Sequence, residues 1–361
     1  MKQEQDGFSA IASSVSCGFP VSATLKLKFG DCRIGLRSNS EPLVEKLRGY
    51  YRDYILGHEP VDITIDAYET PPPLVEREFI VKPPDPGKNK IKEEYVDFPS
   101  GRIVRKRLTG MLFLFGGCTN IAVGQCVENY NQVVNFINNR FIQWLLYRGG
   151  RLFHAAAVAV DGRGLALAGF SGMGKSTLAL HLMSEGAKFV SNDRLLLMNH
   201  KGGTHMCGVP KLPRINPGTA LNNDRLAGVM SPEDVERFAR LDANELFHLE
   251  HKYDVILEEC FGANSMIQKA AMLALVVINW GGSRQPTTLK KVNLEERADL
   301  FPAFMKSPGL FFQDLGSTPL DYSEAAYLKS LEGCPVYELS GGTDFVSGTK
   351  LCRAILRRDL L

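Results

Sequence analysis

The segment Gly169-Phe170-Ser171-Gly172-Met173-Gly174-Lys175-Ser176 constrains this chain more than any other stretch. A short apolar run, Leu165 to Ala168, leads into it, a helical run, Lys175 to Glu185, leads out, and Gly186 closes that helix. The segment satisfies the pattern Gly-x4-Gly-Lys-Ser/Thr at every required position and in the strand-loop-helix context that the pattern needs. Glycines let successive main-chain amides converge on phosphate oxygens, and the helix N-terminus adds unpaired donors and a favourable dipole. On this reading Gly169 to Thr177 bind a nucleoside triphosphate: Lys175 reaches the β- and γ-phosphates and the Ser176 hydroxyl holds magnesium. No Asn-Lys-x-Asp segment for reading guanine is present, which favours ATP. The next apolar stretch, Lys188 to Ser191, reads as a strand ending at Asn192 and Asp193. An acid at such a strand tip is placed to hold magnesium or orient the attacking group, so Asp193 is the prime candidate.

A chain of 361 residues favours two domains over one. Residues 1 to 20 are small and polar and read as a mobile tail; residues 21–148 form an N-terminal α+β domain. In it, Ala23 to Phe29, Cys32 to Arg37 and Val61 to Ala67 carry strand patterns, and Pro42 to Leu56 carries helical spacing. Six of the 19 prolines fall between Pro71 and Pro86, so the short strand Phe79 to Val81 belongs at an edge or in a long loop. Arg102 to Leu108 and Met111 to Phe115 read as extended. A helix from about Asn129 to Tyr147 ends at Gly149 and Gly150, and the boundary is placed there. Residues 149–361 are expected as an α/β domain with a mixed, twisted sheet flanked by helices. It opens on a hairpin of Leu152 to Val160 and Leu165 to Ala168 about the turn Asp161-Gly162-Arg163-Gly164.

The 42 basic and 40 acidic residues give a formal charge of +2, which supplies no global field for nucleic acid or an anionic membrane. Anion binding must be local. The longest apolar run, Ala270 to Ile278, is too short to span a bilayer and reads as a buried strand. The N-terminus lacks the apolar core of a secretory signal, so a cytoplasmic location is expected. The eight cysteines form no CxxC pair, which fits neither a zinc site nor a disulfide framework.

The run from His154-Ala-Ala-Ala-Val-Ala-Val through the hairpin, the glycine loop, its helix and Phe-Val-Ser-Asn192-Asp193-Arg resembles the core of HPr kinase/phosphorylase. The segments His251-Lys-Tyr-Asp-Val and Ile278-Asn-Trp extend that resemblance to the group called HprK-related kinase B. The resemblance implies a P-loop kinase domain of the HPr kinase type using ATP and Mg2+. It implies Lys175 as the phosphate-binding lysine, Ser176 as a magnesium ligand and His154 near the transferred phosphate. It also brings self-association into oligomers as a family expectation. The sequence departs from the family where Asn192 replaces the first of two adjacent aspartates. An amide cannot act as a general base near neutral pH, so Asp193 must cover both duties or another carboxylate must help. The family's Arg-Gly-Leu-Gly segment is missing too, its nearest counterpart being Gly208-Val-Pro-Lys211-Leu-Pro-Arg214, which puts HPr itself in doubt as the acceptor.

Lys211 and Arg214, in a Pro-Gly-rich loop, and Arg284, in the loop Gly281 to Pro286, are candidate substrate or phosphate contacts, with ordinary surface roles as the alternative. Asp254 to Glu259 imitates an acidic strand end, leaving Glu258 and Glu259 as candidate helpers, while Leu339-Ser340-Gly341-Gly342 reads as a turn. The expected reaction is transfer of the ATP γ-phosphoryl group to a hydroxyl of a protein Ser/Thr or a small molecule, with Asp193, Lys175, His154 and Asn192 at its centre. The competing expectation is a nucleotide-dependent switch that controls a partner without transferring phosphate.

Overall fold

The computed structural model describes residues 7–84, 90–242, 245–246, 249, 251–281, 285–314 and 320–359, and shows a mixed α/β protein. It divides into two compact units: Met1–Trp144 with Pro308–Leu320, and Leu145–Ser307 with Asp321–Leu361. Among the described residues no helix is long and apolar enough to cross a membrane.

In the first unit an eight-stranded sheet has the order β1-β2-β3-β8-β7-β6-β5-β4. Its strands are β1 (Ala23–Phe29), β2 (Cys32–Ser38), β3 (Ile63–Glu69), β4 (Ile80–Val81), β5 (Glu93–Phe98), β6 (Gly101–Lys106), β7 (Leu112–Gly116) and β8 (Thr119–Gly124). The pairs β2/β3 and β3/β8 are parallel and the others antiparallel. Among its described residues the proline-rich region holds the two-residue β4, at the sheet edge.

Two expectations are corrected here. Residues 7–18 are not a mobile tail but a helix, α1 (Gly7–Gly18), whose Phe8, Ala12 and Val15 are buried with Tyr68, Phe98, Ile103 and Leu114. Apolar residues at i, i+4 and i+7 make one helical face, and the many serines around them hid it. Nor do residues 149–361 form one uninterrupted domain, because Pro308–Leu320 belongs to the first unit. There Phe311 lies among Phe113, Phe115 and Phe136, with ring centroids 5.4, 6.0 and 6.1 Å away. The helix α2 (Glu41–Tyr50), capped by Ser40, and all but the last two residues of α3 (Tyr130–Leu146) also belong to this unit.

In the second unit the strands are β9 (Arg151–Phe153), β10 (Ala155–Val160), β11 (Arg163–Gly169), β12 (Lys188–Ser191), β13 (Leu195–His200) and β14 (Gly203–Gly208). They continue with β15 (Arg214–Ile215), β16 (Tyr253–Asp254), β17 (Lys269–Ile278), β18 (Thr288–Val292) and β19 (Val336–Ser340). The nine-stranded sheet runs β12-β10-β11-β17-β14-β13-β9, with β19 joining β17 to β18. The stretch expected as one strand, Leu152 to Val160, is broken at His154, because β9 pairs with β13 while β10 pairs with β11 and β12. The hairpin turn is shorter than expected: Asp161 and Gly162 alone make it, at φ 50° and 75°, and Arg163 and Gly164 pair within the strand.

His154 alone connects β9 to β10, yet β9 ends the hydrogen-bonded order and β10 lies next to its other end. The sheet must therefore roll until its ends face each other along a seam. A Cβ on Gly208 of β14 would lie 1.9 Å from the Val190 carbonyl of β12, the close approach that such rolling demands. Small side chains permit it: Ala155, Ala157, Ala159, Ala166 and Ala168 face the interior of the roll, beside Phe153, Leu195, Phe301, Phe304 and Tyr327. The outer face of β10, β11 and β17 packs with Leu178 and Leu182 of α4 (Lys175–Ser184) and with Cys352 and Ile355 of the helix Phe345–Leu356.

Phe8→Ala should cost about 3 kcal/mol, typical of emptying a buried phenylalanine site. Urea unfolding should show the loss, and limited proteolysis should cut within Gly7–Gly18; unchanged resistance there would contradict the anchoring of α1.

Candidate functional site

Parallel pairing puts Gly169 of β11 opposite Ile278 of β17, and Ile278 opposite Leu339 of β19. The loops that follow these strands leave the sheet at one edge. Phe170–Gly174 then enters α4 with Gly174 as N-cap at φ 82°, and Gly172 lies at φ 84°. A Cβ at Gly174 would sit 2.6 Å from Phe345 Cζ, so both backbone angle and space call for glycine. Trp280, just past β17, donates from Nε1 to the Met173 carbonyl at 3.0 Å and meets Phe345 edge-on, centroids 4.9 Å apart. Within the loop the Met173 amide donates to Phe170 O at 3.2 Å. The amides of Ser171, Gly172 and Gly174 reach no acceptor among the described residues, and first-turn helix amides lack intrahelical partners. The bend is a set of unused donors.

Lys175 folds back over this bend. It is 8% exposed, and Nζ donates to Gly169 O at 2.7 Å and to Phe170 O at 3.2 Å. Burial, and then the neighbouring charge of Lys306, bring its pKa down from 10.5 to about 8, while Asp193 pulls the other way. The ammonium is thus held where its charge is costly.

Two connections cross the seam of the rolled sheet. One is His154; the other is Asn192-Asp193-Arg194, between β12 and β13. The antiparallel register Leu195↔Phe153 places these crossings side by side. Ser191 Oγ closes the second, donating to Arg194 O at 2.5 Å and accepting from the Val209 amide at 3.4 Å. Burial alone would raise the Asp193 pKa, but Lys211, Lys306, Arg194 and His154 outweigh it and leave the carboxyl below its ordinary value. No hydrogen bond or ion pair engages that carboxylate among the described residues. Burial first, then Lys175 and Lys306, lower His154 to about 4 against the pull of Asp193, so the imidazole is neutral at pH 7. Asn192 Oδ1 is buried without a partner among the described residues.

The remaining sequence candidates separate. Lys211 is half-buried on the loop after β14; burial lowers its pKa and the Asp193 charge opposes, which ties it to the cluster. Arg214 is spent in an exposed ion pair with Asp254, N to O 3.2 Å, across the β15–β16 ribbon. The Thr177 hydroxyl lies 2.9 Å from that of Thr219, turned to packing. Asp254 to Glu259, which imitates an acidic strand end, is the end of the two-residue β16 followed by a short helix, Leu257–Phe261, on which Glu259 is exposed and Glu258 half-buried. An apolar 257/261 pairing about charged residues suits a helical turn better than an extended run. Arg284 lies outside the described residues. Sequence reasoning missed Lys306, which follows the apolar stretch Leu300–Phe304 with no motif to flag it. It also quoted Trp280 without a role, since an indole bracing a loop on another strand has no local signature.

The residues present fit a nucleotide phosphate chain and a divalent cation. The bend offers free amides and an ammonium, while the Ser176 hydroxyl and the Asp193 carboxylate have no other partner among the described residues. No protein-family model matches the chain, and no curated protein matches it. Among solved structures, the Hpr(Ser) kinase/phosphatase from Coxiella burnetii aligns with 58% of this chain and 95% of its own, at 11% identity and a TM-score of 0.31. That similarity is too distant to assign fold or function.

Lys175→Met should raise stability. A folded pKa near 8 against 10.5 amounts to a penalty of about 3 kcal/mol, partly offset by the lost hydrogen bonds at about 1 kcal/mol each. The penalty is complete below pH 8, where the lysine is charged in both states, and fades as pH rises from 8 to 10.5. Melting curves should therefore show a more stable variant at pH 7 and a gap that closes towards pH 10.5.

Proposed function

We propose that this chain is an ATP- and Mg2+-dependent phosphotransferase with a P-loop domain of the HPr kinase type, passing the γ-phosphoryl group to a hydroxyl. The observation that carries this reading is the buried ammonium of Lys175, clasped by carbonyls of a bend whose own amides are unused. A fold tolerates a costly buried cation where an anion is to meet it. The amides of Ser171, Gly172, Gly174, Lys175 and Ser176 take phosphate oxygens, and Lys175 exchanges its carbonyl partners for the β- and γ-phosphates. Ser176 and Asp193 are the groups that would hold the magnesium, which neutralises phosphate charge when bound.

Asp193 also receives the acceptor hydroxyl. Its lowered pKa keeps it ionised at neutral pH, which suits orienting a donor more than strong proton abstraction. Phosphoryl transfer through a loose transition state asks for little else, so one carboxylate serves where Asn192 replaces a second. Neutral His154 offers a hydrogen bond at the same place without adding charge. The acceptor is a Ser/Thr of a protein partner or the hydroxyl of a small molecule.

One observation favours a second reading. The orphaned Asn192 Oδ1 beside a single acid suits a nucleotide-dependent switch that releases only inorganic phosphate. Incubating the protein with γ-labelled ATP and cell extract separates the two, because a kinase marks an acceptor.

Calorimetry should show Mg-ATP binding that Lys175→Ala weakens by about tenfold or more. Asp193→Ala should keep nucleotide binding while lowering phosphate turnover by about a thousandfold. With Lys175 near 8 in the free protein, affinity should fall as pH rises above 8, because binding must then recharge the amine. Lys175→Arg, charged throughout, should flatten that slope. Absence of any heat with the wild-type protein would dismiss the phosphate-loop reading.

A further inference from the structure

Lys306 enters the site from a segment pinned along the seam. The His154 amide donates to Phe304 O at 2.7 Å, and Met305 forms an antiparallel bridge with Phe153. The buried Tyr327 hydroxyl accepts from the Lys306 amide at 3.0 Å and lies 2.8 Å from Leu152 O and 3.2 Å from Lys306 O, its proton going to one of these carbonyls. Phe153 and Phe304 stack beneath, centroids 5.6 Å apart and planes 10° from parallel. The backbone of Lys306 is thus fixed next to the crossing that carries His154, itself beside Asp193.

We propose that Lys306 is a second phosphate-binding lysine, meeting the terminal phosphoryl group from the seam side as Lys175 meets it from the loop side. This rests on the nucleotide reading of the loop. The charge of Lys306 acts on Lys175, on His154 and on Asp193 alike. Its backbone is fixed beside the crossing that carries His154, and a γ-phosphate gripped by the loop and facing Asp193 would lie towards that same crossing. In the transfer, the bond from γ-phosphorus to the β-γ bridging oxygen breaks and its electron pair stays with ADP. A bond forms to the acceptor oxygen, which Asp193 orients, and its proton leaves through Asp193 only late, once bonding to phosphorus has made it acidic. Lys306 keeps its proton and neutralises charge spread over the equatorial oxygens. An α- or β-phosphate, held by the loop amides, lies beyond its reach.

The test is calorimetry of the full chain with two magnesium-bound probes, a non-hydrolysable ATP analogue with an imido β-γ bridge and ADP. Lys306→Met should weaken the triphosphate analogue by about tenfold or more and leave ADP within about twofold. Lys306→Arg should recover most of the loss, and both variants should melt within a few degrees of wild type. Equal weakening of both probes, or of neither, overturns the role of Lys306 while leaving the loop reading intact. Failure of the wild-type protein to bind either probe removes the loop reading and the role of Lys306 together.

Discussion

The antiparallel register that sets Leu195 against Phe153 is the constraint on which the second unit turns. It joins strands β13 and β9, forces the sheet to roll, and leaves two chain crossings at one seam. A single residue, His154, makes the first crossing, so its side chain has little choice of place. The second crossing brings Asp193 beside it, and the segment ending at Lys306 is hydrogen-bonded along the same line. Rolling is possible because alanines line the inner face of β10 and β11; larger residues there would hold the two ends apart.

The charge arrangement follows from that geometry. The charges of Lys175, Lys211, Lys306 and Arg194 are all coupled to one carboxylate, and burial works against the charged forms of Lys175, Asp193 and Lys211. Such a cluster is a poor way to stabilise a fold, since like charges repel and buried ones lose their hydration. It is a sound way to prepare for a polyanion, because most of the donors and charges would already be in place before one arrived. The glycine bend follows the same logic, with amides left without partners and a tryptophan and a phenylalanine holding them still.

Local pattern made the loop, its two flanking elements and the strand tip at Asp193 legible. Each depends on interactions within a few residues: glycines at left-handed angles, an apolar strand, a helix start. The same locality misled elsewhere. Leu152 to Val160 is uniformly apolar, and periodicity alone does not register that its two halves pair with different strands. The serine-rich composition of Gly7–Gly18 hid an apolar face that gains its meaning only against Phe98 and Ile103. Asp254 to Glu259 looked like an acidic strand, but its partner β15 is only two residues long and the chain turns helical after it.

Sequence by itself determined the phosphate-loop pattern, the hairpin before it, the buried strand Lys269–Ile278 and the acid that follows β12. Tertiary structure alone decided that His154 stands beside Asp193, that Trp280 braces Met173, that Arg214 is spent on Asp254, and that the segment ending at Lys306 runs along the same seam. The division has a physical reason. Backbone angles and burial periodicity are set by near neighbours along the chain, whereas the direction of a lone lysine or tryptophan depends on which distant strand its segment is bonded to.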